Sequence, residues 1–124
     1  MPKALVVDDS RAMRMILART LRGAGLEVAE AASGKEALEV LGREAGSVRL
    51  ILIDWNMPAM SGLEVVKEVR SRRELDAVRL VMVTTETGVE QMSQALTAGA
   101  NEYLMKPFTQ EAVESKLRLL GILE

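Results

Sequence analysis

Three short runs of unbroken apolar residues, Ala4–Val7, Leu50–Ile53 and Leu80–Val83, most constrain what this chain can fold into. Each is rich in Val, Ile or Leu and too short for a helix. None alternates with polar residues, so each reads as a strand covered on both faces. Weaker strand patterns occupy Leu26–Ala31, where apolar and acidic residues mix, and Glu102–Met105.

Helical patterns fill the intervals. Met13, Ile16, Leu17, Thr20 and Leu21 share one face, ended by Gly23 and Gly25. Ser33 and Glu36 form a capping box that opens a helix through about Leu41. Leu63, Val66 and Val69, with Val65 beside them, mark a third helix; Val89, Met92 and Leu96 mark a fourth, ending near Gly99. Thr109 is an N-cap for a fifth, carrying Val113, Lys116, Leu117 and Leu120. Strands alternating with helices require crossovers, hence an α/β fold whose parallel sheet is covered on both sides. The expected architecture is the flavodoxin-like (βα)5 doubly wound sandwich. Its strand order, 2-1-3-4-5, rests in part on the resemblance given below.

The length of 124 residues suits one domain, spanning residues 1–124, that buries about two-thirds of the surface its unfolded chain exposes, enough for a core. Aromatic residues make up only 2% of the chain, so Leu, Val, Ile, Ala and Met must fill that core. The net charge of −2 gives no reason to expect a nucleic acid or a membrane as partner. No apolar stretch approaches the roughly 20 residues that span a bilayer. The apolar run before Asp8 is too brief for a signal peptide, so a soluble, cytoplasmic protein is expected.

In open parallel sheets, ligands bind beyond the carboxyl ends of the strands. Here strand one runs into Asp8 and Asp9, strand three into Asp54, strand four into Thr84 and Thr85, and strand five into Lys106 and Pro107. Each has an ordinary reading by itself: a helix cap, a turn residue, a hydroxyl, a solvated lysine. Their arrival at successive strand ends of one pattern is what points to a site. Three carboxylates alone would repel one another and raise their pKa values. With no His and no Cys in the chain, a metal there must be a hard cation held by oxygen, such as Mg²⁺. Lys106 would add positive charge and Thr84 a hydrogen-bond donor, the ingredients of phosphoryl transfer to a carboxylate nucleophile.

The motifs L-V-V-D-D-S at 5–10, D-W-N-M-P-A-M-S-G-L at 54–63, V-T-T-E at 83–86 and Y-L-M-K-P-F-T at 103–109 resemble, in this order, those of receiver domains of two-component response regulators. The similarity covers essentially the whole chain and is strongest to single-domain, CheY-like members. It implies a phosphoprotein in which Asp54 accepts the phosphoryl group from a phosphohistidine on a sensor histidine kinase or phosphotransfer protein. Asp9, Asp54 and the Asn56 backbone carbonyl would ligate Mg²⁺, with Asp8 acting through water. Lys106 would pair with the phosphoryl oxygens, and its peptide to Pro107 would be cis. Thr84 and Tyr103 would be the switch, and Asn56 and Glu86 would tune dephosphorylation.

Two departures from the family pattern stand out. Position 61 is Ser where relatives often have Asp, a change that still caps a helix. The stretch from Thr87 to Asn101 has no Lys or Arg, whereas members that dock on the flagellar motor often carry a basic residue there. Arg11, Arg14, Arg19 and Arg22 read as a solvated face or as a docking surface for an acidic helix. Arg70-Ser71-Arg72-Arg73 reads as a solvated helix end, and Met57 and Met60 as packing for the loop around Pro58.

The resulting expectation is a stand-alone response regulator, with chemotaxis as one setting. It would be a phosphoacceptor switch rather than an enzyme, assisting its own phosphorylation and dephosphorylation. Phosphorylation would alter the face formed by the fourth helix, fifth strand and fifth helix. Two alternatives are a relay intermediate that passes the phosphoryl group on and a phosphate-independent pseudo-receiver. An aspartyl phosphatase is disfavoured because Asn56 supplies no acid two residues after Asp54. An FMN carrier is disfavoured because Asp8 and Asp9 would repel its phosphate.

Overall fold

A computed structural model describes residues 2–44, 46–85 and 89–124, with Val89 described by its backbone alone. In chain order the elements are β1 (Lys3–Val7), α1 (Arg11–Gly23), β2 (Glu27–Ala31), α2 (Gly34–Glu44) and β3 (Val48–Asp54). Then come α3 (Gly62–Arg70), a 3₁₀ turn at Arg73–Leu75, β4 (Arg79–Thr84), α4 (Val89–Ala98), β5 (Glu102–Met105) and α5 (Gln110–Leu119). The strands pair in parallel in the order β2-β1-β3-β4-β5, the expected doubly wound topology.

Strand parity sorts the core into two layers, because successive side chains leave a strand on opposite faces. Ala4, Val6, Leu50, Leu52, Val81, Val83 and Leu104 pack against Leu17 and Leu21 of α1 and Val113 and Leu117 of α5. Leu5, Val7, Ile51, Ile53, Leu80 and Met82 pack against α2, α3 and α4 through residues such as Val40, Leu41, Val65, Val66, Val69 and Ala95. Burying each such Leu, Ile or Val side chain contributes about 1.5–3 kcal/mol. Trp55, Tyr103 and Phe108 stay only partly buried, so aliphatic residues fill the centre.

Three helical details differ from the sequence expectation. Helix α2 runs to Glu44, past the expected end at Leu41, and its start is held by the Glu36 N–H donating to the Ser33 hydroxyl. In α1 the sheet-facing stripe is Leu17, Ala18 and Leu21, while Ile16 is 49% exposed. In α4 Ala95 is buried and Leu96 is 48% exposed. In both helices an alanine, Ala18 or Ala95, is among the buried residues while a larger apolar neighbour faces outward.

Helix α3 begins with a full capping box between Ser61 and Glu64, so serine supplies the expected cap. Its start presses on the end of β3: a Cβ added at Gly62 would lie 2.2 Å from the Asp54 carbonyl oxygen. Glycine is the residue that permits this contact. At the other end of α3, Arg70 is not the solvated cation expected. Its guanidinium donates to the carbonyls of Gly99, Leu75, Asp76 and Val78 and to the Asn101 side chain, at 2.8–3.3 Å. Gly99, at φ +120°, fits closely against it, since a Cβ there would meet Arg70 Cγ at 2.5 Å. Among the described residues, no helix is long and apolar enough to cross a membrane.

Candidate phosphoacceptor and cation site

Parity also decides what the strand ends present. Following Ala4 and Val6, Asp8 continues the face toward α1 and α5; following Leu50 and Leu52, so does Asp54. Thr84 follows Leu80 and Met82 onto the face toward α4. The main chain knits these ends together. Asp8 N–H donates to Ala31 O at 3.1 Å, Trp55 N–H to Val83 O at 3.0 Å, and Lys106 N–H to Thr84 O at 2.9 Å.

Asp8, Asp54 and Thr84 are the buried polar side chains at the carboxyl edge, at 1%, 7% and 3% exposure. Asp9 is exposed beside them. Carboxylate oxygens of Asp8, Asp9 and Asp54 lie within 4.8 Å of one another. Lys106 Nζ approaches from β5, 3.5 Å from Asp54 Oδ1 and 3.9 Å from Asp8 Oδ2. Both distances are long for a hydrogen bond, so the ammonium faces the carboxylates without closing on either. Asn56 N–H donates to Asp54 Oδ1 at 3.4 Å, and its residue is exposed at the rim. The Lys106–Pro107 peptide is cis.

Burial pushes the Asp54 carboxyl above the ordinary value, against the opposing pull of Lys106 and the Asn56 N–H. Burial does the same to Asp8, offset by its hydrogen bond from Ser10 N–H and reinforced by the Asp54 charge. Among the described residues, none donates a hydrogen bond to the buried Asp8 Oδ2. A buried anionic oxygen without a donor is costly, and an oxygen-bound cation removes that cost. The donor set is all oxygen, so the residues present fit a hard divalent ion and could hold one.

Tyr103 stands apart from the carboxylates, on the α4 side of the sheet. With Trp55, Met82, Thr84, Gln91, Met92 and Ala95 it lines a cavity of about 10 Å³, room for about one water molecule. The Lys116 ammonium lies over its ring at 4.7 Å from the centroid and pairs with Glu102 at 3.0 Å. Glu86, expected to tune dephosphorylation, lies outside the described residues. Met60 packs on Gly34, as its loop-packing reading requires, and Met57 joins the same apolar layer.

The sequence reading missed one contact at this edge. Arg14 donates to the Asp8 carbonyl at 2.7 Å, and its Nε lies 3.4 Å from Glu30. Periodicity assigns Arg14 only to a polar face. The available signal was a cation in the first turn of a helix, where the backbone dipole disfavours one.

The fold agrees with what the chain is similar to. It is 44% identical over 119 residues to the chemotaxis protein CheY1 of Helicobacter pylori, covering 95% of both chains. It is 45% identical over 116 residues to a chemotaxis protein CheY homolog of Campylobacter jejuni, covering 93% of this chain and 88% of that one. The structure of Vibrio cholerae CheY4 superposes with a TM-score of 0.90 at 38% identity, covering 97% of this chain and 98% of that chain. Thermotoga maritima TrrA, solved in complex with Mg²⁺ and BeF, superposes with a TM-score of 0.83 at 32% identity, covering 97% and 99%. Residues 4–118 match the response regulator receiver domain, and the chain belongs to the response regulator receiver family, among its CheY-like members.

Proposed function

We propose that residues 1–124 form one receiver domain that works as a phosphorylation-controlled response regulator, with Asp54 as acceptor. The observation that carries this reading is the convergence of buried Asp54 and Asp8 with Lys106 Nζ at 3.5 and 3.9 Å on one sheet edge. An Asp54 carboxylate oxygen attacks the phosphorus of a kinase or phosphotransfer-protein phosphohistidine. The P–O bond forms as the P–N bond breaks, and the imidazole leaves with the bonding electrons. Asp9, Asp54 and the Asn56 carbonyl, with Asp8 through water, would hold Mg²⁺, which would supply positive charge for the approach of an anionic group. Lys106 pairs with the transferred oxygens and Thr84 donates to one of them, stabilising charge as it develops. Asn56 and Glu86 tune loss of the phosphoryl group to water.

The switch follows from the layer that holds Thr84 and Tyr103. A Thr84 hydroxyl drawn toward the phosphoryl group vacates space beside the small cavity, and the Tyr103 ring turns toward it. The cavity is too small for a phenol as it stands, so Met82, Met92 and Gln91 must repack, which flexible methionines do at low cost. The exposed face of α4, β5 and α5 then changes for a protein partner. The chemotaxis relatives support chemotaxis as the setting.

Trp55, next to Asp54, reports the test. Mg²⁺ followed by beryllofluoride or acetyl phosphate should change its fluorescence in two steps, and Asp54→Asn should abolish the second. No second step, with intact mass showing no phosphoryl adduct from acetyl phosphate at saturating Mg²⁺, would refute the acceptor role.

A further inference from the structure

We infer that Arg14 is a positioning residue for the carboxylates at the sheet edge, acting through the main chain of Asp8. The inference rests on the reading of Asp8, Asp9 and Asp54 as a cation site. Arg14 lies one turn into α1, where its N–H donates to Ser10 O at 2.9 Å. A helix amino end carries partial positive charge and favours acids there. Yet the first turn of α1 holds no acidic residue, and its side of the helix carries Arg11 and Arg14 instead. A local rule broken in this way marks a position held for another reason.

That reason is visible in the contacts. The Arg14 side chain is only 16% exposed and spans two acceptors, the Asp8 carbonyl through Nη1 at 2.7 Å and Glu30 Oε1 of β2 through Nε at 3.4 Å. The carbonyl it holds belongs to the peptide that joins Asp8 to Asp9. Because that unit is planar, holding its oxygen sets the peptide plane from which Asp8 and Asp9 both depart, which restricts the torsions that separate their carboxylates. Asp8 is then held at three further points: its N–H on Ala31 O at 3.1 Å, its Oδ1 under Ser10 N–H at 2.8 Å, and the β1 ladder behind it. Oδ2, on the Lys106 side of the site, has no hydrogen bond among the described residues. A guanidinium can serve both acceptors at once, which one ammonium cannot do in the same geometry.

Charge and positioning predict opposite signs, which makes the inference testable by calorimetric titration of the full chain with magnesium chloride alone. Removing a cation beside a Mg²⁺ site should tighten binding if only charge acts. We expect Arg14→Met to weaken binding about 10-fold, the effect typical of losing a group that orients a metal ligand. The loss should shrink when Asp8→Asn is already present, because Arg14 acts through that residue. Unchanged or tighter binding by Arg14→Met, or full additivity with Asp8→Asn, would overturn the inference. Should Arg14→Met melt below the titration temperature, Arg14→Lys replaces it; it keeps the charge and one donor, and a smaller loss of the same sign is expected. Wild-type protein that takes up no Mg²⁺ would refute the cation site itself, an outcome distinct from binding that is indifferent to Arg14.

Discussion

Arg70 and Asp8 are both charged groups drawn into the protein, at opposite ends of a parallel sheet, and the chain treats them in opposite ways. Around Arg70, below the amino ends of β4 and β5, main-chain carbonyls from the 3₁₀ segment, the β4 approach and the α4–β5 turn meet every side of the guanidinium. Asn101 closes the ring, accepting from both Arg70 and Leu80 N–H at 2.8 Å. Around Asp8, at the carboxyl end of β1, like charges are gathered and one oxygen has no donor among the described residues. The first arrangement is complete in the protein alone and serves stability. The second is complete only with something added, and so carries the chemistry.

Three measurements press on this contrast. Arg70→Met should cost about 3 kcal/mol in urea unfolding, because several carbonyls lose a charged donor together. Asn101→Ala should cost about 1.5 kcal/mol by the same measurement, since one side-chain oxygen serves two donors. At the other end the sign reverses: Asp54→Asn should stabilise the metal-free protein by about 1 kcal/mol, and Mg²⁺ should erase that advantage. Destabilisation by Asp54→Asn in the absence of metal would dissolve the distinction between the two clusters.

The pH dependence of stability is the smallest effect and the finest probe. Asp8 and Asp54 have pKa values raised in the folded state, chiefly by burial. Between the ordinary carboxylate value of 3.8 and the raised values, the folded protein therefore binds more protons than the unfolded chain. Their contribution to stability is present below that window and is lost as pH rises through it. Subtracting the profile of an Asp8→Asn, Asp54→Asn double variant from that of the metal-free wild type should isolate this falling limb. A rising limb would mean that the carboxylates are satisfied without a cation.

The same contrast explains how much was legible in the sequence. Asp8, Asp54, Thr84 and Lys106 follow strands whose apolar runs announce themselves, so their meeting at one edge follows from topology. Arg70 offers no such local sign. Its acceptors are backbone oxygens at Leu75, Asp76, Val78 and Gly99, and backbone oxygens look alike in every sequence. Ile16 and Leu96 were misplaced for a related reason. Periodicity weights side chains by their apolarity, so the small Ala18 and Ala95 count for little, yet both are buried. The reading of Arg70 to Arg73 as a solvated end fails only at its first residue, where the chain folds back over the cation.

The alternation of side chains along β4 and β5 has one more consequence. Lys106, with Leu104 before it, stands on the carboxylate side, whereas Tyr103 and Thr84 look out the other way. Under the proposed function, the phosphoryl group is received in one compartment and felt in another, with a partition one residue thick between them. No relay of side chains has to cross the interior, since neighbouring residues of the same strand end already stand on both sides. A wall this thin needs only a small local shift at its rim to be heard next door.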